Sequence, residues 1–309
     1  MSQEISAPKE RSYWSYKWHE IKNAKALYLF ILPFMLIFFT FTILPVLISV
    51  YYGFTNFNVL EAPQWVGWDN YLRLFLEDDL FITAVKNTFL FALITGPVGY
   101  LLCLIFAWLI NELTPKFRAF LTLMFYAPAL SNMTVIWKFI FSSDQYGIIN
   151  GFLIQNNIIA APIRFFADPE YIVPTVIFVL LWSSLGTSFL TFIAGLQNVD
   201  RSLYEAASID GIKNRWQELW FVTLPYMRPQ LMFSAIISIS GAFNIGDAIT
   251  VLVGYPSIDY VAHTIMHHLN DYGNMRLEMG YACAIATVLF IIMISLNKII
   301  QKLISKVGE

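Results

Sequence analysis

Residues 27–50 read LYLFILPFMLIFFTFTILPVLISV, without one charged side chain. About 20 apolar residues rising 1.5 Å each cross the roughly 30 Å hydrocarbon core of a bilayer, so this stretch reads as a membrane-spanning helix. It follows basic residues and could imitate a secretory leader. It is longer than a leader's apolar core, however, and no small-residue cleavage site follows at 51–58. The expectation is a retained first helix.

Working outward, runs of the same kind occur at 88–110, 120–141, 172–196, 231–253 and 280–300. The expected fold is all-α: a polytopic membrane protein with six transmembrane helices, built as a basic tail at 1–26 and one transmembrane domain over 27–309. Composition agrees, since 58% of the 309 residues are hydrophobic, only 13% are charged, and the mean hydropathy is +0.61. That charge content is about half of what a soluble domain carries, which excludes a soluble globule. A net charge of -2 is neither the basic balance of a nucleic-acid binder nor an acidic tail, so no nucleic-acid partner is expected.

Cationic loops tend to stay in the cytoplasm. If the N-terminus is inside, the inner segments hold Lys9, Arg11, Lys17, Lys22 and Lys25, then Lys116 and Arg118, then Arg201, Lys213, Arg215 and Arg228, and finally Lys298, Lys302 and Lys306. The opposite side keeps only Arg73, Lys86, Lys138, Arg164 and Arg276. Both termini are therefore expected in the cytoplasm. The outer connections, 51–87, 142–171 and 254–279, carry aromatic and turn residues such as Trp65, Trp68, Tyr146 and Tyr255, which suit short interfacial helices or a surface for an external partner.

Chemistry of the chain's own is not visible. Cys103 and Cys283 sit inside apolar runs, without metal-ligand spacing or a disulfide framework. His263 and His267 stand at i, i+4 next to His268, but no carboxylate or cysteine is arranged with them, so they read as outer surface residues and no metal is expected. Phosphate loop, nucleophile elbow and zinc-protease helix are all missing from the sequence, and no catalytic residue is assigned.

The inward loop 197–230 has a helical reading of its own. Ser202-Leu203-Tyr204-Glu205 fits a capping box, so a helix should start at Ser202. Ala206 and Ala207 favour it and leave its surface slim, and Asp210-Gly211 ends it, because glycine accepts the left-handed conformation of a helix terminus. Asn214 can cap a second helix over 215–222, which Leu224-Pro225 should end. Periodicity alone leaves two readings level: a helical knob that fits a cleft in a cytoplasmic partner, or an interfacial amphipathic elbow.

At these residues a resemblance appears. Glu205-Ala206-Ala207, Asp210-Gly211 and Leu224-Pro225 resemble the EAA motif of permease subunits in bacterial binding-protein-dependent ABC importers, more narrowly the maltose-type sugar permeases. Ala194-Gly195-Leu196-Gln197-Asn198, Trp65-Val66-Gly67 with Asn70-Tyr71, Tyr146-Gly147-Ile148-Ile149-Asn150 and residues 243–256 fit the same family. Two departures stand out. Asp200 occupies the place of a usual proline, and Gly254-Tyr255-Pro256 that of Gly-Gly-Pro. The resemblance implies an inner-membrane sugar permease whose residues Glu205, Ala206, Ala207, Asp210 and Gly211 form a coupling helix. Glu205 would pair with a basic residue of an ATPase subunit or fix the helix itself. It further implies a second homologous permease subunit, two cytoplasmic ABC ATPase subunits holding ATP and Mg, and an extracytoplasmic solute-binding protein, with no cofactor on this chain.

For a pathway, Ser240, Asn244 and Asp247 fall at i, i+4 and i+7 of the fifth span and should share a face near Phe243. An ionisable group within a span faces a bundle interior or a wet cavity by default. Ser184, Ser188, Thr191 and Gly195 repeat along the fourth span, with Trp182 nearby, which suits helix packing or solute contact. Pro128 with Ser131 and Asn132 marks a break in the third. Two rival functions remain on these residues: an ion-coupled secondary transporter using Asp247, and a non-transporting membrane scaffold that docks a partner through the inward loop.

Overall fold

A computed structural model describes residues 24–130 and 134–305. Among the described residues there is no strand, only an isolated antiparallel bridge between Thr55 and Trp65. The chain divides into two units, one ending at Tyr51 and the other starting at Tyr52.

The described part of the first unit is the helix α1, Lys25–Tyr52, whose last residue falls at the boundary, and no residue along it is buried. It widens into a π turn at Phe39–Ile43. Pro45, two residues further on, lacks the N–H that would bond back to Phe41, so the ladder is relaxed where a donor is missing.

The second unit contains α2 (Asp69–Leu76), α3 (Asp79–Asn111), α4 (Pro115–Leu130), α5 (Thr134–Ile140), α6 (Ile148–Gln155), α7 (Pro169–Ser183), α8 (Thr187–Gln197), α9 (Arg201–Ile209), α10 (Arg215–Glu218), α11 (Arg228–Phe243), α12 (Gly246–Val253), α13 (Ile265–Asn270) and α14 (Met279–Ile304). Its axis is α3. Phe81, Ala84, Thr88, Phe91, Thr95, Gly99, Cys103, Ala107 and Ile110 form one buried stripe at three- and four-residue spacing, and α7, α8, α11 and α13 pack along it. One apolar cluster joins the C-terminal half of α3 to Phe189 and Phe192 of α8 and to Met227. Another joins its N-terminal half to α11 and to Tyr281 and Ile285 of α14. A third gathers Val176 and Val179 of α7 with Ile249 and Leu252 of α12 around Phe91.

Four helical stretches among the described residues are long and apolar enough to cross a membrane: Lys25–Tyr52, Asp79–Asn111, Pro169–Gln197 and Met279–Ile304. They match the first, second, fourth and sixth expected spans. The fifth differs from the expected straight helix, because α11 and α12 meet at a 44° bend. Asn244 leaves the helical region there (φ -106°, ψ 39°). Ser240, Asn244 and Asp247 therefore do not share one helical face. The third expected span falls on α4 and α5, which flank residues 131–133. Ser131 and Asn132 lie outside the described residues.

The short helices expected in the connections 51–87 and 142–171 are present as α2 and α6. The chain before α2 is held close to α14. The Asn70 amide donates to the carbonyls of Gly53 (2.9 Å) and Thr55 (2.8 Å), and the Gly280 amide donates to the Phe57 carbonyl at 2.7 Å. Any Cβ at position 280 would run into the Thr55 carbonyl oxygen, so the approach requires glycine. The histidines correct the sequence reading: His263, His267 and His268 are buried rather than on the surface, because residues 257–268 fold onto α3 and α12.

Candidate coupling and translocation sites

The loop 197–230 builds a projecting helix from local rules. Asp200, extended at φ -66° and ψ 132°, is the N-cap of α9, and its carboxylate accepts from the Ser202 amide at 3.0 Å. The expected cap at Ser202 is thus corrected. Asp200 stands one residue before the helix, so Ser202 is already inside it and Glu205 lies beyond the first turn, past the reach of a capping box. At the other end the Ile212 amide bonds to the Ala207 carbonyl (3.0 Å) and the Gly211 amide to the Ser208 carbonyl (3.4 Å). With Gly211 at φ +95°, this is a Schellman termination. No atom lies within 4 Å of where a Gly211 Cβ would be, so glycine is selected here by backbone conformation and not by space.

Of the proposed coupling residues, Ala207 is buried against the body, while Glu205, Ala206, Asp210 and Gly211 are exposed. Ile209 at the tip is 86% exposed. The helix is tied down on its other side. Thr223 donates to the Glu218 carbonyl (3.2 Å), so the Tyr204 hydroxyl donates to Thr223 Oγ1 (2.9 Å). Asn214 caps α10 as expected, accepting from the Gln217 amide at 2.8 Å. The helix does not stop before Leu224-Pro225, however. It runs on through a π turn at Leu219–Thr223 and a short piece at Leu224–Tyr226, since proline is tolerated in a first turn. Arg215 bridges Glu112 (3.0 Å) and Glu218 (2.8 Å), which fastens the end of α3 to the loop. Together these elements enclose an open polar recess of about 710 Å³, lined by Glu112, Arg118, Tyr204, Glu205, Arg215 and Glu218 among others.

A second site lies where two backbone breaks converge, at 184–186 between α7 and α8 and at Asn244–Ile245 between α11 and α12. Irregular backbone at membrane depth is tolerated where it is buried or lines a cavity. Here it lines one of about 270 Å³, whose hydroxyl- and amide-bearing residues include Thr95, Tyr100, Ser183, Ser184, Thr187, Ser188, Ser238 and Asn244. Ser188 donates to the Ser234 carbonyl (3.3 Å) and so accepts from Ser238 Oγ (3.3 Å). It serves helix packing as well as the wall.

Of the expected pathway residues that the structure describes, the cavity brings together Ser184, Ser188 and Asn244. Phe243 is buried against Phe89 (5.8 Å), and Trp182 packs edge-on to Trp137 (5.8 Å). Ser240 lies half-buried outside the cavity lining, and Asp247 is exposed in the first turn of α12, where a carboxylate suits the helix dipole. Thr95, Ser183, Thr187 and Ser238 were missed by the sequence reading. Thr95 beside Gly96 and Pro97 was the available signal, since hydroxyl and small residues next to a proline mark backbone that needs partners.

A many-helix membrane protein with a capped, projecting loop and a hydroxyl-lined cavity has the features of a transport permease. Residues 99–306 match the family described as binding-protein-dependent transport system inner membrane component, and the chain belongs to that family. It is 31% identical over 278 residues to the probable ABC transporter permease protein YesP of Bacillus subtilis, covering 88% of this chain and 87% of YesP. It is 30% identical over 268 residues to the arabinooligosaccharides transport system permease protein AraP of Halalkalibacterium halodurans, covering 86% and 83%. Its fold matches a chain in the crystal structure of a bacterial ABC transporter involved in the import of the acidic polysaccharide alginate, with a TM-score of 0.78 and 23% identity over 95% of this chain and 100% of that one.

Proposed function

We propose that this chain is the permease subunit of an ATP-driven importer that accepts a sugar or oligosaccharide from an extracytoplasmic binding protein and releases it into the cytoplasm by alternating access. The substrate class rests on relatives such as the arabinooligosaccharide permease. The cavity of about 270 Å³ is consistent with it, offering neutral hydroxyls and the Asn244 amide to a neutral polar solute.

The observation that carries the reading is α9: one side buried and bonded through Tyr204, the other exposed and ending in a fixed left-handed turn at Gly211. Such a knob suits a groove in a separate ATPase subunit. ATP and Mg²⁺ belong to two such subunits, and this chain binds no cofactor. A second, homologous permease completes the pathway. Six spans in the bacterial inner membrane, with both termini cytoplasmic, place the knob on the ATPase side. Closure of the ATPases pushes α9, and the Arg215 bridge passes the displacement to α3.

The test is reconstitution with the partner chains in vesicles, reading solute-stimulated ATP hydrolysis and uptake. Both are expected in the native assembly. Gly211→Val places a branched side chain at positive φ, at a cost of about 1–2 kcal/mol or more, and is expected to reduce uptake per ATP about tenfold while membrane insertion stays normal. Native uptake per ATP in that variant would remove the coupling role from this helix.

A further inference from the structure

Away from both sites, a cluster of imidazoles lies where residues 257–268 fold onto the N-terminal half of α3. Asp78 caps α3, its Oδ1 accepting from the Phe81 amide at 2.9 Å. Its Oδ2 accepts from the Tyr281 hydroxyl (2.7 Å) and from His268 Nε2 (2.9 Å). His268 Nδ1 then lies 3.3 Å from His263 Nε2. Burial pushes the Asp78 carboxyl up, but the Tyr281 hydroxyl, the Phe81 amide and His268 together hold it below its usual range.

The proton positions follow from that charge. An ionised Asp78 can only accept, so His268 carries its proton on Nε2 and offers Nδ1 as an acceptor. His263 therefore donates from Nε2, and its Nδ1 is left as the open base. That atom has no hydrogen-bond partner in the protein, and the ring is 1% exposed.

The same segment is pinned at several points. The Asn87 amide donates to the carbonyls of Tyr260 (2.9 Å) and His263 (3.0 Å), and the Ile265 amide donates to Thr88 Oγ1 (2.9 Å). Thr250 on α12 gives its proton to the Gly246 carbonyl (3.0 Å), so it accepts from His267 Nε2 (3.0 Å). Apart from Asp78, charged groups face the neighbours of His263 rather than His263 itself. Asp247 faces His267, while Asp271 and Arg276 face His268. Arg73, bonded to Glu278 (2.6 Å), lies over Tyr281 and Tyr272. The rings of Tyr255 and Tyr260 pack on His263, and the Asp78 charge, bonded to His268 and not to His263, acts on it through space as a partial offset. A proton added at His263 Nδ1 thus creates a buried cation next to two imidazoles, with no carboxylate bonded to it among the described residues.

We propose that this network is an acid-released clamp, in which protonation of His263 detaches residues 257–264 from α3. Burial, with the neighbouring His268 and His267, lowers the His263 pKa to about 3 in the clamped arrangement. Burial also lowers those of His267 and His268. A detached histidine titrates near 6.5. The detached arrangement binds the extra proton, so the clamp is whole above about pH 6.5 and weakens as pH falls from there toward 3. At pH 5, His263 alone favours detachment about 30-fold more than at pH 8. That this end faces the cell exterior rests on the topology proposed above; the clamp itself does not.

The experiment is hydrogen exchange on the full chain in lipid nanodiscs at pH 8 and pH 5, corrected for intrinsic exchange. The opening constant of residues 257–264 is expected to rise about 30-fold at pH 5. In His263→Phe, which fills the slot with a ring that takes no proton, that rise should shrink to the part His267 and His268 contribute. His263→Gln supplies the same comparison if the Phe variant does not insert. An opening constant independent of pH in the native chain overturns the proposal, and so does an undiminished rise in an inserted variant. Neither outcome bears on transport, which the reconstituted assembly reports separately.

Discussion

Asp200 and Ser202 stand two positions apart, yet only one of them caps α9. The Asp200 carboxylate accepts from the Ser202 amide, so Asp200→Ala is expected to cost the helix about 1 kcal/mol, while Ser202→Ala costs a few tenths at most. Equilibrium unfolding of the loop, followed through labels flanking α9, separates the two. Equal losses would return the cap to Ser202. The sequence favoured Ser202 because Ser-x-x-Glu imitates a capping box, although Asp200, itself a good N-cap residue, was a competing local signal. By contrast, Gly211 and Asn214 were legible: a left-handed terminus and an Asx cap depend on a few neighbouring residues. The burial of His263 was not legible, since it depends on Asn87 and Asp78, which lie far away along the chain.

The long helices followed from apolar length alone, which is why α14 was found nearly to its ends while α3 was found at its C-terminal end but missed over its polar first turns, 79–87. Hydropathy runs unbroken through 184–186 and 244–245, however, so the two breaks that shape the cavity left no mark in it. Their consequence is testable in pairs. Asn244→Ala removes an amide exposed at the cavity and is expected to lower uptake about tenfold with unchanged thermal stability. Ser188→Ala removes a buried bond to the Ser234 carbonyl and should cost about 0.6–1 kcal/mol of stability with a smaller effect on uptake. Reversed effects, stability lost at 244 and uptake lost at 188, would exchange the two roles.

Charge placement fixes the expected orientation of the entire chain, and it can be read directly. In a background where Cys103 and Cys283 are replaced by alanine, a cysteine at Lys213 should react with a membrane-impermeant reagent only from the cytoplasmic side. One at Asp144 should react only from outside. Labelling with the opposite sidedness would invert the topology and move α9 away from any cytoplasmic ATPase.

One feature joins the two ends of the second unit. The α3 helix has 33 residues, a length of about 50 Å, greater than the hydrocarbon thickness of a bilayer. Its first residues adjoin the Asp78 network and its last turn meets Arg215 through Glu112. Pro97, without an amide hydrogen, interrupts the ladder level with the cavity that Thr95, Gly96 and Gly99 help to line. An oar pivoting on a rowlock behaves the same way: when the handle dips, the blade lifts. Were α3 to tilt about Pro97 as a rigid rod, the end beside Asp78 would swing opposite to the end beside Arg215, so one helix would couple the two in antiphase.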